Sequence, residues 1–115
     1  MPTSSTSVAV KICGITSPAA IDTAVSEGAA YGGLVFHPKS PRNLDLEQAN
    51  ALARHMRGKL KIVTLVADPS DAQLAALTRL IAPDFLQLHG GETVKRVAEI
   101  RARFGVAEGR ISRAS

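Results

Sequence analysis

The stretch LKIVTLVADPSDAQLAALTRLIAPDFLQLHGG, residues 60–91, decides the fold class of this 115-residue chain. It opens with an apolar run rich in β-branched residues, 60–67, which is typical of a strand buried on both faces. A leucine-bearing segment follows at helical spacing, and Ser70, with a glutamine three residues on, provides its N-cap. Pro83 marks the end of this helix, and FLQL, residues 85–88, predicts the next strand.

The same alternation extends to both sides of this stretch. VAVKIC, residues 8–13, predicts a first strand, and YGGLVF, residues 31–36, predicts a second one. Three further helices are predicted over residues 18–26, 45–58 and 92–104. The resulting order, βαβαβαβα with short loops, predicts an α/β fold with a parallel sheet covered by helices. Either a segment of a barrel or a small open sheet fits this order.

The two ends of the chain depart from this pattern. Residues 1–7 are polar, and we expect them to form a disordered N-terminus. Residues 8–105 then form one partial (β/α) barrel domain. VAEGRISRAS, residues 106–115, has no run of apolar β-formers and predicts an irregular C-terminal tail. A closed eight-stranded barrel typically needs at least about 200 residues, so the chain would hold about half of one.

Composition narrows the class of protein. Apolar residues make up 45% of the chain and charged ones 21%, as in ordinary globular proteins. No apolar run is long enough for a membrane span, and the N-terminus lacks the features of a signal peptide, so we expect a cytoplasmic protein with no membrane partner. Cys13 is the only cysteine, which excludes an internal disulfide and a cysteine-pair metal site.

The charge balance points to a small-molecule ligand. The formal charge is +4, but aromatic residues make up only 3% of the chain, so nucleic-acid bases would find few stacking platforms. We therefore expect no nucleic-acid partner. Some of the cations are better explained by an anionic small molecule.

Reactive and polar residues follow the predicted strands at one end of the sheet. Cys13 ends its predicted strand, and the loop 37–42, Asp68 and His89 each come directly after one. In α/β proteins the carboxyl ends of parallel strands and the loops after them carry the active site. The sequence therefore predicts a functional site at this end of the sheet.

Four motifs identify a family resemblance. KICGIT (residues 11–16), LVFHPKSPR (34–42), VADPS (66–70) and LQLHGGE (86–92) occur in the order and spacing found in phosphoribosylanthranilate isomerases of tryptophan biosynthesis. The resemblance covers roughly residues 10–105. That family is a single-domain (β/α)8 TIM barrel, so the resemblance implies that this chain corresponds to its first four βα units, a half barrel with an irregular tail.

The resemblance also implies an activity and a set of site residues. The family carries out an Amadori rearrangement, an aldose-to-ketose isomerisation of N-(5-phosphoribosyl)anthranilate, and uses neither a cofactor nor a metal ion. It assigns the general base to Cys13, anthranilate-carboxylate binding to Arg42 and a substrate contact to His89. Lys11, the cation next to the thiol, and Gln87, on the same face of its strand as His89, are weaker substrate-binding candidates.

Two parts of the family's machinery lie outside these 115 residues. They are the general acid, an aspartate after the sixth strand, and the glycine-rich phosphate loops after the seventh and eighth strands. An alternative hypothesis is therefore a non-catalytic half-barrel or flavodoxin-like binding module. The uncovered interior of a half barrel predicts self-association or a complementary C-terminal half as partner. His37 and Lys39 are interpreted as surface residues of their loop.

Overall fold

The computed structural model describes residues 11–104 and 111–113. Strands and helices alternate along this part of the chain. The strands are β1 (Lys11–Ile12), β2 (Tyr31–Phe36), β3 (Lys61–Val66), β4 (Phe85–Leu88) and β5 (Ile111–Arg113). The helices are α1 (Pro18–Ser26), α2 (Leu46–Met56), α3 (Asp71–Leu80) and α4 (Val94–Phe104). No helix in the described part of the chain is long and apolar enough to cross a membrane.

The five strands form one parallel sheet in the order β1-β2-β3-β4-β5. Sequential neighbours pair because each helix returns the chain to the same end of the sheet for the next strand. In the central strands Gly33 pairs with Val63, which in turn pairs with Phe85. The predicted parallel α/β fold is confirmed over residues 11–104.

Local signals in the sequence account for the helix starts. Ser17 accepts a hydrogen bond from the backbone N–H of Ala20, and Pro18 begins α1 as predicted. Asp45 and Gln48 form a complete capping box at the start of α2, with each side chain bonded to the other's backbone N–H. Ser70 caps α3 in the same way as Ser17 caps α1. Such caps satisfy backbone donors that have no partner inside the helix.

One face of the sheet is the core of the molecule. Leu34, Ile62 and Leu86 lie on the same face of β2, β3 and β4, and all three are buried in one cluster with side chains from every helix. The helical contributions include Ile21 of α1, Ala49, Leu52 and Met56 of α2, Leu74 and Leu77 of α3, and Ile100 of α4. Burial of this apolar face against the helices is the main stabilising contribution to the fold.

The opposite face of the sheet carries the alternate residues of each strand. Tyr31, Leu65 and Phe85 point to this face and are only half-buried. Tyr31 and Phe85 pack edge to face with ring centroids 5.5 Å apart. These side chains lie outside the cluster packed by the helices. We refer to this surface as the open face.

Several boundaries differ from those predicted, including those of α2 and β3 by one or two residues. The tail prediction was wrong for Ile111–Arg113, which pairs in parallel with β4; a three-residue strand is too short to show a pattern in sequence. Helix α4 begins at Val94, so Glu92 belongs to the preceding loop. Cys13 follows β1 instead of ending it. The predictions for residues 1–10 and 106–110 lie outside the described residues.

Candidate active site

The carboxyl end of the sheet begins at Cys13. Its side chain is a free, exposed thiol. The Ile15 N–H donates to the Gly33 carbonyl (3.0 Å), so the chain continues alongside β2 after the thiol. A Cβ on Gly33 would stand 3.3 Å from Cys13 Cα and 3.7 Å from its Sγ. The absence of a side chain at Gly33 therefore lets the thiol-bearing segment lie directly against β2.

Arg42 reaches the same place from the next loop. Ser40 Oγ accepts from the Arg42 backbone N–H (3.1 Å), which folds the PKSPR segment back towards β1. The aliphatic part of the Arg42 side chain then lies over Gly14, where any Cβ would overlap Arg42 Cδ. Gly14 also has a φ of 72°, a region open mainly to glycine. Within residues 11–104 and 111–113 nothing pairs with the Arg42 guanidinium, which leaves it available to an anion.

Lys11 and Gln87 meet on the open face. Lys11 pairs in register with Tyr31, and Gln87 pairs with Leu65 on the same side of the sheet. The Lys11 ammonium donates to Gln87 Oε1 at 2.8 Å. This contact crosses β2 and β3, from β1 to β4. It brings together two predicted site residues that are 76 positions apart in the chain.

His89 lies opposite His37. Phe36, Val66 and Leu88 are register partners at the ends of their strands, so the two histidines that follow occupy matching positions. Their ring centroids are 6.2 Å apart. They line an open cavity of about 370 Å³ together with Pro38, Lys39, Ala67, Asp68 and Gly90.

The interpretation of His37 and Lys39 as plain loop surface was incomplete, because both line this cavity. The Lys39 backbone N–H donates to His37 Nδ1 (3.3 Å). A backbone N–H can only donate, so Nδ1 accepts and the ring proton resides on Nε2. A usable signal was present in the sequence, since His37 and His89 each directly follow the last residue of a strand.

Glu92 is the second residue that sequence reasoning passed over. It is 4% exposed, and it is one of only two buried polar or charged residues in the described part of the chain. Its two carboxylate oxygens accept from the backbone N–H of Asp68 (2.7 Å) and of Gly90 (2.8 Å). Asp68 Oδ1 in turn accepts from the Gly91 N–H at 2.9 Å. These hydrogen bonds join the β3–α3 loop to the β4–α4 loop.

Behind these loops an ion-pair network joins α3 to α4. Arg96 lies 2.8 Å from Asp71 Oδ1 and donates to the Pro69 carbonyl at 3.0 Å, while Arg103 donates to Asp71 Oδ2 at 2.7 Å. The hydrogen bond from Arg96 lowers the pKa of Asp71; desolvation opposes this shift and the charge of Arg103 adds to it. The same bond raises the pKa of Arg96. The network braces the loop that contains Asp68.

The predicted site residues thus make three contacts, two at the carboxyl end of the sheet and one on its open face. Arg42 lies over Gly14, the residue after Cys13, His89 faces His37, and Lys11 bonds Gln87. Together they define an α/β protein that presents a thiol, imidazoles and cationic groups near the carboxyl ends of parallel strands. Small-molecule enzymes with parallel sheets have their sites at this position.

The family model for N-(5'phosphoribosyl)anthranilate (PRA) isomerase matches residues 10–113. The chain belongs to the PRA isomerase family. It is 50% identical over 99 residues to the N-(5'-phosphoribosyl)anthranilate isomerase of Cereibacter sphaeroides, an alignment that covers 86% of this chain and 47% of the relative. It is 46% identical over 100 residues to the enzyme of Nitrobacter winogradskyi, covering 87% and 44%. The chain therefore spans about half the length of these curated relatives.

Solved structures give the same result. TrpF from Jonesia denitrificans superposes with a TM-score of 0.83 at 33% identity, covering 95% of this chain and 51% of that one. A phosphoribosyl anthranilate isomerase in complex with reduced 1-(o-carboxyphenylamino)-1-deoxyribulose 5-phosphate superposes with a TM-score of 0.80 at 26% identity, covering 92% and 52%. The described fold is thus similar to about half of each relative.

Proposed function

We propose that this chain is part of a cytoplasmic phosphoribosylanthranilate isomerase of tryptophan biosynthesis, an aldose-to-ketose isomerase that needs no cofactor. In this proposal the chain supplies the first four βα units of a (β/α)8 barrel. The observation that carries it is the position of Arg42 over Gly14, beside the exposed Cys13, in a chain that matches the family over residues 10–113.

The proposed reaction requires one base and one acid. The acid protonates the ribose ring oxygen, the bond from this oxygen to C1′ breaks, and a Schiff base forms between C1′ and the anthranilate nitrogen. The Cys13 thiolate then removes the proton from C2′, and the electron pair moves towards the nitrogen to give an enolamine. Tautomerisation places the carbonyl at C2′ and a proton at C1′, so the step is a net isomerisation. A thiol suits this role because thiols as a class ionise close to the operating pH, so the base form is accessible.

Arg42 and His89 are the proposed substrate-binding residues. The planar guanidinium of Arg42 can hold the anthranilate carboxylate through two parallel hydrogen bonds, and it is not engaged elsewhere within the described residues. His89, with His37 opposite, offers imidazole hydrogen bonds to the substrate across the cavity. Lys11 and Gln87 already bond one another, and we propose that they contact the ligand as a pair from the open face.

The general acid and the phosphate-binding loops would come from a complementary C-terminal half. The open face supports this part of the proposal, because half-buried Tyr31, Leu65 and Phe85 lie on it outside the helix-packed core. An apolar sheet face of this kind favours association with a partner. Sedimentation at increasing concentration tests it: the expected result is self-association, and a stable monomer that ignores an added C-terminal half contradicts it.

Catalysis is tested by mixing the chain with a C-terminal half taken from the Cereibacter sphaeroides relative. Isomerase activity is followed by the loss of substrate fluorescence. We expect activity in the mixture and its loss with Cys13→Ala. Arg42→Lys should weaken substrate binding more than it slows turnover, because Lys keeps the charge but cannot form two parallel hydrogen bonds.

The matched variant for this experiment is His55→Ala, which removes a histidine on α2 that bonds Asp22 of α1, away from the proposed site. It should leave turnover unchanged. Activity that survives Cys13→Ala at the wild-type level would exclude Cys13 as the base. Ligand binding without any turnover in the mixture would instead favour a non-catalytic binding module.

A further inference from the structure

Glu92 is a buried carboxylate that the proposed reaction does not use. Within the described residues its side chain accepts hydrogen bonds from two backbone groups, those of Asp68 and Gly90, and it is 4% exposed. Because each oxygen already holds a backbone donor and the residue is buried, Glu92 is better placed to join the two loops than to contact a ligand. It is therefore not a substitute for the missing general acid.

The residues that Glu92 joins have unusual backbone positions. Asp68 has a φ of 45°, in the left-handed region that non-glycine residues rarely occupy. Gly90 approaches it so closely that a Cβ there would stand 2.7 Å from Asp68 Oδ2 and 2.8 Å from Asp68 N. Strained positions of this kind persist only where the surroundings hold them. Here the surroundings are the hydrogen bonds among Asp68, Gly90, Gly91 and Glu92, which we call the Glu92 clamp.

The clamp forms one wall of the cavity between the histidines. Asp68 and Gly90 line that cavity, and His89 is the residue immediately before Gly90. His89 is also fixed at its backbone, where its N–H donates to the Val66 carbonyl at 2.8 Å. The separation of the two loops, and with it the position of the His89 ring relative to His37, thus depends on the clamp, in which two of the three hydrogen bonds end on the buried Glu92 side chain.

We propose that Glu92 is a positioning residue, which sets the width of the cavity and the orientation of His89 without contacting the ligand. This inference rests on the proposed function for its choice of ligand, an anionic phosphosugar bearing an anthranilate ring. A purely structural role for Glu92 would change stability alone. A positioning role changes ligand affinity in protein that is still folded.

The test compares Glu92→Gln with Asp84→Asn in the full 115-residue chain. Glu92→Gln keeps the size of the side chain but turns an –NH2 group towards one of the two backbone donors. Asp84 is the matched carboxylate, since its Oδ2 accepts from the Ile62 backbone N–H (2.8 Å) at the other end of the sheet. The two measurements are the thermal unfolding midpoint and, at a temperature where all variants are folded, the Kd for reduced 1-(o-carboxyphenylamino)-1-deoxyribulose 5-phosphate.

We expect both variants to unfold at lower temperature, and only Glu92→Gln to weaken ligand binding, by about tenfold, the size of effect of one lost hydrogen bond to a charged group. Unchanged affinity in folded Glu92→Gln protein would overturn the inference. So would an equal loss of affinity in Asp84→Asn.

A second measurement separates this inference from the proposed function. If the wild-type chain does not bind the ligand, the imidazole NMR signals of the three histidines report on the clamp directly. Displacement of the His89 signal in Glu92→Gln, with His55 unchanged, supports positioning even though the choice of ligand then fails. A His89 signal that stays in place rules positioning out.

Discussion

The two ends of the sheet use carboxylates for the same structural purpose but expose different chemistry. At the amino end Asp84 bonds the Ile62 backbone, and at the carboxyl end Glu92 bonds two loop N–H groups. Both ends have open cavities of similar volume, about 420 Å³ at the amino end and about 370 Å³ at the carboxyl end. Cavity size alone therefore does not distinguish the functional end.

The kinds of polar group do distinguish the two ends. At the amino end Arg57 donates to the Ile81 carbonyl at 2.5 Å, and Lys59 and Lys61 also line the cavity, so its lining has cations without a thiol or an imidazole. At the carboxyl end the Cys13 thiol is exposed, two imidazoles line the cavity, and the Arg42 guanidinium has no partner within the described residues. The functional end is therefore better located by the chemistry of its side chains than by cavity size or charge.

The largest expected effect is the loss of stability when a glycine at either end of the sheet is replaced by alanine. Gly14→Ala and Gly28→Ala both place a side chain at positive φ, 72° and 82° respectively. Gly28→Ala should lower the free energy of unfolding by about 1–2 kcal/mol, the cost of the left-handed backbone alone. Gly14→Ala should lose about 0.5 kcal/mol more, because its Cβ also displaces the flexible, exposed side chain of Arg42. Urea denaturation of both variants measures the difference.

Gly28 is the matched position because no described atom lies within 4 Å of the place its Cβ would take. Gly14→Ala should also weaken ligand binding, since Arg42 moves, whereas Gly28→Ala should not. Equal losses of stability in the two variants would show that Arg42 does not pack over Gly14.

Removal of the amino-end carboxylate should give the next largest effect. Asp84→Ala leaves the Ile62 N–H without its acceptor, and we expect the free energy of unfolding to fall by about 1–3 kcal/mol. Ligand affinity should stay at the wild-type value. Calorimetric titration at a temperature where the variant is folded checks this, and reduced affinity would show that the two ends are coupled.

Thr64, on β3 between the two ends of the sheet, is a reference position for the stability measurements. The Thr64 side chain is fully buried on β3, and its Oγ1 has no hydrogen-bond partner among the described residues. Thr64→Val replaces that hydroxyl by a methyl group and should raise the free energy of unfolding by about 1 kcal/mol. Denaturant unfolding measures this gain. A loss of stability would mean that the hydroxyl is satisfied in solution.

The smallest expected effect is a pH dependence of stability that arises at the carboxyl end of the sheet. The pKa of Asp71 in the folded chain lies below its ordinary value of 3.8, mainly because of the hydrogen bond from Arg96. The unfolded chain therefore binds more protons in this window, and the stability due to the ion pair is present above pH 3.8 and lost as pH falls through the folded pKa. Asp71→Asn should be less stable than wild type at pH 6, and the stabilities of the two proteins should become equal in acid.

Unfolding midpoints of wild type and Asp71→Asn over this pH range provide the measurement. Asp22→Asn, on α1, is the companion variant, because it removes a carboxylate that bonds His55 instead of an arginine. If the difference in unfolding midpoint between wild type and Asp71→Asn stayed the same below pH 3, the ion pair with Arg96 would not be its cause.

Much of the fold could be read from local patterns. The bounds of α1, β2 and β4 were predicted to the residue, because proline, glycine and cap residues mark their ends. The start of α4 was misplaced, because in the sequence Glu92 looks like an acidic residue of the first helical turn. Its hydrogen-bond partners are the backbone N–H groups of Asp68 and Gly90, and the contact with Asp68 depends on how two loops fold together. Strand β5 depends on pairing with β4, and three residues hold too little pattern to reveal it.

The residues of the candidate site could be predicted from the sequence, but their three-dimensional arrangement could not. Cys13, Arg42 and His89 were identified from the family resemblance and from their positions at strand ends and in the loops that follow. The overlay of Arg42 on Gly14 and the Lys11–Gln87 bond could not be foreseen, since both depend on how the loops fold across neighbouring strands. His37 was undervalued because its importance comes from its register with His89, a relation between two strands that are not adjacent.

The edge-to-face contact on the open face has a spectroscopic consequence. Tyr31 is the only tyrosine in the chain and there is no tryptophan, so a single side chain dominates the near-ultraviolet circular dichroism. Its contact with Phe85 places the phenol in an asymmetric environment that any molecule covering this face would alter. The chain thus contains its own optical reporter at the surface where a partner half would dock, and docking could be followed without a label.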